Sequence, residues 1–383
     1  MRPDPHRLPR LVLLVFIGAQ AMGIGVIISL LAEIQDRFGF PTWSLGMIAG
    51  TSFMSTLVAH LWLASFADRG WERRMITVGG ILAALALLWM VFASALWHWV
   101  AARALLGFAE GVCVVAGRRL MLSWDPDRQG KALASLTMTL TIGFLLGPPL
   151  AGFLHELHRG LPFLFPALVE VLLLPLLVTV RPGEYGRSSV RLNRRRLAVI
   201  PGLAPGLLLA ASPWLMIGML DALWARYMTD LGAGPVAIGL GFLAVALPSV
   251  FVTPVSGRLS DRINPIRLAL IGAAVELPLI VAFGFVTGIP TLLLVGALHS
   301  SSWSFVTPPG QAAVAKVAPR GQAAEAQGLI ESCGLVLASF GALVGPPIYA
   351  AAGPTVLFCG AAAVLAITPL AVLAKRDSWK NVF

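Results

Sequence analysis

Apolar residues in this chain come in runs of roughly 20 or more, with most polar residues gathered between them. Twelve runs are long enough to cross a membrane as helices. They lie at approximately 11–33, 43–66, 75–96, 97–122, 131–154, 161–180, 201–228, 235–258, 267–286, 290–316, 325–351 and 354–374. The runs do not alternate between apolar and polar positions, and a helix satisfies its own backbone groups in lipid, so strands are not expected. The opening "MRPDPHRLPR" is basic and precedes an apolar run, as in a signal peptide, but Leu11 to Leu31 is long enough to span and reads as the first membrane helix.

Composition agrees with this pattern. Of 383 residues, 57% are hydrophobic and 12% are charged, against about 25% charged in soluble domains. The mean hydropathy is +0.84. The expected solvent is membrane lipid. A net charge of +10 invites a nucleic-acid reading, but the basic residues sit between apolar runs and form no aromatic-laced patch. Cys113, Cys333 and Cys359 lie inside apolar stretches without paired spacing, which suggests buried thiols and neither a disulfide framework nor a zinc site. "HELH", His155 to His158, offers two ligands where a stable zinc site needs three or four. No cofactor is expected.

With the N-terminus inside, the outer loops hold only Arg37, Arg159 and Arg226, and Arg103 falls within a span. All other Lys and Arg residues then fall on the cytoplasmic side, the bias that sets membrane orientation. Both termini are expected in the cytoplasm and the chain in the plasma membrane. The basic segment "RPGEYGRSSVRLNRRR" follows the sixth span. It reads as a cytoplasmic linker, residues 181–200, between six-helix bundles at 1–180 and 201–383.

An internal repeat supports that division. "ASFADR" ends at Arg69 and "GRLSDR" at Arg262, and their Asp residues, Asp68 and Asp261, are 193 positions apart. The same offset takes Gly46 to Gly239. The expected fold is therefore all-α integral membrane, with twelve transmembrane helices in two pseudo-symmetric six-helix bundles, a parallel repeat of the transporter kind.

Three motifs carry chemistry. The first is the repeated turn, with Asp68, Arg69, Arg73 and Arg74 in one copy and Gly257, Asp261 and Arg262 in the other. A carboxylate there can accept from the orphan amides of a helix start, or pair locally with its Arg neighbour. The second is "RALLGFAEG" in the fourth span. Its Arg103 and Glu110 are seven residues apart, so they share a face within about 20° and roughly 10 Å along the axis. Charges at membrane depth mark a functional path by default, with a structural pair as the alternative. The third is "GFLLGPPLAG", where Gly143, Gly147 and Gly152 permit close helix contact and Pro148 and Pro149 predict a kink. "GALVGPP" in the eleventh span echoes it.

These motifs resemble the major facilitator superfamily, and within it the twelve-helix drug:proton antiporters. The resemblance implies that Asp68 latches onto the eleventh helix and Asp261 onto the fifth, closing the cytoplasmic side. It also marks the fifth-span element as an exporter's. The first turn departs from the family pattern, with Ala64 and Phe66 in place of Gly and Leu, and with Arg73 and Arg74 one residue late.

Other buried polar residues extend the list of candidates. Glu110 is the first candidate for a proton carrier, and Asp221 in the seventh span is the second. The repeat offset maps Glu110 onto Trp303, so His299, Ser300 and Trp303 are expected to line a substrate cavity; a packed or interfacial Trp is the alternative. Glu170 and Glu276 are assigned structural or lipid-boundary roles, and Glu331 a cap or a gate. The function expected is a secondary active transporter, working as a monomer by alternating access, that exports small amphipathic or apolar molecules against protons. A facilitator or proton symporter importing a metabolite is the alternative. No phosphate-binding loop or catalytic constellation suggests an enzyme.

Overall fold

The computed structural model of the chain describes residues 7–124, 129–179, 200, 203–318 and 323–380. Most of the basic linker at 181–200 and the side chain of Asp68 lie outside the described residues. The helices are α1 (Arg7–Phe38), α2 (Trp43–Phe66), α3 (Glu72–Val91), α4 (Leu96–Trp124), α5 (Gln129–Leu157), α6 (Leu161–Thr179), α7 (Leu203–Ala211), α8 (Trp214–Asp230), α9 (Pro235–Arg262), α10 (Pro265–Phe283), α11 (Ile289–Trp303), α12 (Thr307–Val317) and α13 (Ala323–Ala374). Among the described residues, eleven helical stretches are long and apolar enough to cross a membrane.

Two of the expected spans are interrupted. The run at 201–228 is two helices, α7 and α8, parted at Ser212 and Pro213. The run at 290–316 is α11 and α12, parted at Ser304 to Val306. Pro308 sits in the first turn of α12, where its missing amide costs nothing. The expected pair at 325–351 and 354–374 runs on without a loop, as two helices that meet at a kink at Gly353 (φ 78°, ψ 176°) and share the label α13. Only glycine adopts that backbone readily. The apolar stretch within α13 has 49 residues, about 74 Å as straight helix, more than twice the roughly 30 Å of a hydrocarbon core.

By contact density the chain divides into two compact units. One holds Met1–Ser189 with Trp224–Thr229 and Ala233–Leu243; the other holds Val190–Leu223, Asp230–Gly232 and Ala244–Phe383. In the first, Leu13, Phe16, Ile17, Ile76, Leu120 and Leu177 form a buried core contributed by α1, α3, α4 and α6. In the second, Leu209, Ile266, Ala269, Ala313, Val372 and Trp379 form one beneath the ends of α7, α10, α12 and α13. Many large apolar side chains point outward, among them Trp62, Leu172, Phe251, Ile367 and Leu370. In water such a surface would aggregate; in a bilayer its neighbours are acyl chains.

With no hydrophobic force between helices in lipid, close backbone approach supplies the packing. In the first unit α1 and α5 cross through glycines. Gly143 lies against the Gly18 carbonyl, Gly147 against Met22 and Gly25, and Gly25 against the Phe144 carbonyl. Pro148 lacks the amide that would have used that carbonyl, so the oxygen is free to face the Gly25 backbone. α5 continues as helix through Pro148 and Pro149, and the Pro148 carbonyl accepts from Ser29 Oγ at 3.1 Å. In the second unit α8 and α13 cross the same way: Gly218 lies against the Ala338 carbonyl and Gly341 against that of Leu215. Gly25 and Gly218 stand 193 positions apart, the offset of the two Asp-Arg turns.

The crossing predicts a sharp stability effect. A Cβ at Gly218 collides with the backbone of Ala338, whereas Gly360 meets nothing within 4 Å. Gly218→Val is expected to lower the thermal unfolding midpoint in detergent strongly, at a cost of about 2 kcal/mol or more. Gly360→Ala is expected to leave the midpoint within error.

Candidate functional site

The fourth-span motif is built between α1, α2 and α4. Arg103 is 2% exposed, and its Nη1 donates to the Ile24 carbonyl of α1 at 3.0 Å. The two glycines on the same stripe press against α2: Gly107 meets Ser52 and Ser55, and Gly111 meets Thr56 and Ala59. Thr56 Oγ1 donates to the Gly107 carbonyl at 2.8 Å, tying the two helices. Glu110, two turns on from Arg103, is partly exposed. Small residues on α4 thus let neighbouring backbones close in and enclose the guanidinium.

Glu170 is fully buried and not at a lipid boundary. It lies on the face of α6 whose Leu174 meets Gly80 of α3. Neither of its carboxyl oxygens has a hydrogen-bond partner among the described residues. Cys113 Sγ faces the Ile76 carbonyl at 3.8 Å.

The two Asp-Arg turns differ in construction. In the first, the chain kinks between α2 and α3, where Gly70 takes φ 87°. Arg69, Arg73 and Arg74 are exposed, with Arg69 over the Phe66 ring at 5.4 Å and Arg74 over Trp71 at 5.1 Å. In the second, α9 runs through Gly257 to Arg262, and Asn264 Oδ1 caps α10 by accepting from the amides of Ile266 (3.0 Å) and Arg267 (3.2 Å). Asp261 and Arg262 are exposed. Asp261 makes no hydrogen bond or ion pair among the described residues.

Sequence reasoning missed how each turn is held. Buried Glu72 faces Arg119 of α4 at 3.7 Å. In the second unit, Lys316 Nζ of α12 donates to the Ser260 carbonyl at 2.7 Å. Each turn is therefore tied to a cation from the fourth span of its own half. The partners are far apart in sequence, and only the surplus charge of "GRRL" at Arg118 and Arg119 hinted at them.

The residues expected to line a cavity, His299, Ser300 and Trp303, all stand on α11. Asp221 is buried on α8. Ser300 Oγ donates to the Val245 carbonyl of α9, while His299 turns to α10, where its Nε2 lies 3.5 Å from Glu276 Oε1. Phe283 meets the His299 ring edge-on. Trp303 is partly exposed. Glu276 is 4% exposed, so it too is interior and not at a lipid boundary.

At the end of the first unit away from the Asp-Arg turns, a cavity of about 450 Å³ is lined by Glu33, Arg37, Trp99, His155 and Arg159, among others. Glu33 Oε1 lies 3.7 Å from His155 Nε2 and 3.9 Å from Arg159 Nε. Beside it, Arg226 Nη1 donates to Asp36 Oδ1 at 2.7 Å. His158 of "HELH" accepts the Gly160 amide on its Nδ1. Among the described residues no three His, Cys, Asp or Glu side chains cluster as metal ligands would.

The turn anchor is testable. Arg119→Met leaves the Glu72 carboxylate buried without its cation, which costs about 3 kcal/mol. Adding Glu72→Gln is expected to recover most of that. Thermal midpoints in detergent should rank wild type first, the double variant next and Arg119→Met last.

Comparison with known proteins places this architecture. The Major Facilitator Superfamily description matches residues 13–220 and 203–380. The multidrug resistance protein MdtG of Salmonella choleraesuis is 26% identical over 258 residues, 64% of this chain. The match spans 63% of that relative's length. Among solved structures, a bacterial homolog of the human lysosomal transporter Spinster, inward-facing and occupied, superposes with a TM-score of 0.77 at 15% identity, covering 99% of this chain and 96% of that one. A D-xylose-proton symporter gives 0.78 at 14% identity, with 97% of each chain covered. With both halves matched and the whole helical path shared, the chain belongs to the Major Facilitator Superfamily.

Proposed function

We propose that this protein is a secondary active transporter of the plasma membrane that exports small amphipathic or apolar molecules in exchange for protons. Its two six-helix halves, 1–180 and 201–383, alternate access to a shared site, and the linker at 181–200 joins them on the cytoplasmic side. The observation that carries this reading is the placement of ionisable groups inside apolar helices of both units: Arg103 and Glu110 on α4, and Asp221 on α8. Each such group costs several kcal/mol in lipid, so its presence points to a hydrated path.

Proton binding changes the cost of enclosing Glu110 or Asp221, and that difference between two conformations is what a proton gradient can act on. The turns at Asp68 and Asp261 serve as cytoplasmic latches, and the glycine crossings of α5 with α1 and of α13 with α8 let helices slide without losing contact. His299, Ser300 and Trp303 contribute to the substrate side. MdtG, by its name a multidrug resistance protein, supports efflux; a proton symporter of the same fold keeps metabolite import as the alternative.

Proteoliposomes with an internal pH dye and a panel of amphipathic fluorescent dyes test the reading. Outward dye movement is expected to drive inward proton movement. Parallel movement of the two indicates the symporter, and dye flux without proton flux removes coupling altogether. Glu110→Gln is expected to lower proton-driven flux by about tenfold or more while dye binding persists. Normal driven flux in that variant moves the role to Asp221, to be checked with Asp221→Asn.

A further inference from the structure

Glu276 and His299 form an isolated buried pair in the second unit. The groups lie 3.5 Å apart on neighbouring helices, with side chains 6% and 8% exposed. Neither Glu276 Oε1 nor His299 Nε2 completes a hydrogen bond among the described residues, and the same holds for the buried indole nitrogen of Trp303, one turn beyond His299. Three unsatisfied polar atoms this close together are costly in a lipid-embedded core.

The pair sits beside a discontinuity. The span holding His299 stops at Trp303 and resumes at Thr307. The carbonyl of Phe305, inside that gap, packs on Gly272 of α10, one turn before Glu276. The gap in the seventh span is alongside, with Thr307 Oγ1 3.5 Å from the Ala210 carbonyl. Broken helices in transporters are where ions bind and water enters.

Other ionisable groups on the surrounding elements are remote from the pair or unbonded to it. On α10 there is Arg267, nine residues from Glu276, and on α12 Lys316, seventeen from His299. The charges of α9 are Arg258, Asp261 and Arg262 at its far end, and α7 has none. α13 carries Glu325, Glu331, Cys333 and Tyr349 before Gly353; beyond it, where Phe358 stacks on Phe283, it carries only Cys359.

We infer that Glu276 and His299 together form a second proton-binding site of the transport cycle, distinct from Glu110 and Asp221. The inference rests on the proton-coupled reading above. With one titratable proton between them the pair has no net charge, whether that proton sits on the carboxyl or makes an imidazolium–carboxylate pair. Loss of the proton to water leaves a carboxylate beside a neutral imidazole, a net negative charge. Enclosing that charge is expensive, so the helices close over the pair only after it has taken a proton from water on one side. It returns the proton to water when the gap beside Trp303 opens to the other.

Spin-label distances read this without a substrate. Lys131→Cys and Arg258→Cys are labelled in a protein whose three native cysteines are replaced by Ala. The distance distribution is followed from about pH 5.5 to about pH 8.5. Wild type is expected to shift between two populations. Glu276→Gln and His299→Gln are each expected to move the midpoint by about one unit or more. The double variant, neutral at every pH, is expected to lose that component while keeping a cooperative thermal transition. A wild-type shift that persists unchanged in all three variants, but vanishes in Glu110→Gln or Asp221→Asn, overturns this site and leaves the proton-coupled reading standing. No shift in wild type overturns both.

Discussion

Everything in this chain follows from the lack of water around its backbone. In lipid each amide and carbonyl must find a partner within its own helix or in an adjacent one, and each charge must find company or a wet surface. Long apolar helices are therefore the default, and every departure from them needs a local reason. The departures are few. They are the gaps in the seventh and tenth spans, the bend at Gly353, and the buried groups Arg103, Glu170, Asp221, Glu276 and His299. They are also where the chemistry is concentrated.

Packing within each unit obeys the same constraint. Without a hydrophobic drive, helices cohere by bringing backbones close, and glycine sets the distance. The crossings at Gly25 and at Gly218 use one solution twice, and at Gly25 the carbonyl that meets glycine backbone, Phe144, is one freed by Pro148. The turns follow a parallel logic with different residues: a side-chain ion pair, Glu72 with Arg119, in one unit, and a lysine on a carbonyl, Lys316 with Ser260, in the other. The place of the tie is the same in both, and its chemistry differs.

The sequence reveals these levels unevenly. The second span reads as 43–66, and α2 is Trp43–Phe66, because hydropathy falls off sharply at both ends. The gaps at 212–213 and 304–306 are hidden, since the chain there turns more tightly, with Phe305 and Val306 donating three residues back to Ser302 and Trp303, while the apolar runs continue on both sides. Arg103 and Glu110 stand out because a single helical period relates them. Glu276 and His299 do not, because their relation depends on how two helices face each other. Each was read alone, one as a structural or lipid-boundary group and the other as cavity lining. Periodicity carries information along one helix and none across to the next.

Trp379 illustrates a consequence of the chain's last turn. It follows the final span, yet it is 2% exposed, and its Nε1 donates to the Val372 carbonyl at 2.9 Å. Its indole plugs the floor beneath four helix ends, beside Leu209 and Ala313. A purification tag joined after this residue keeps the plug seated, while a shortening that stops at Lys375 leaves those helix ends over a hollow about the size of an indole.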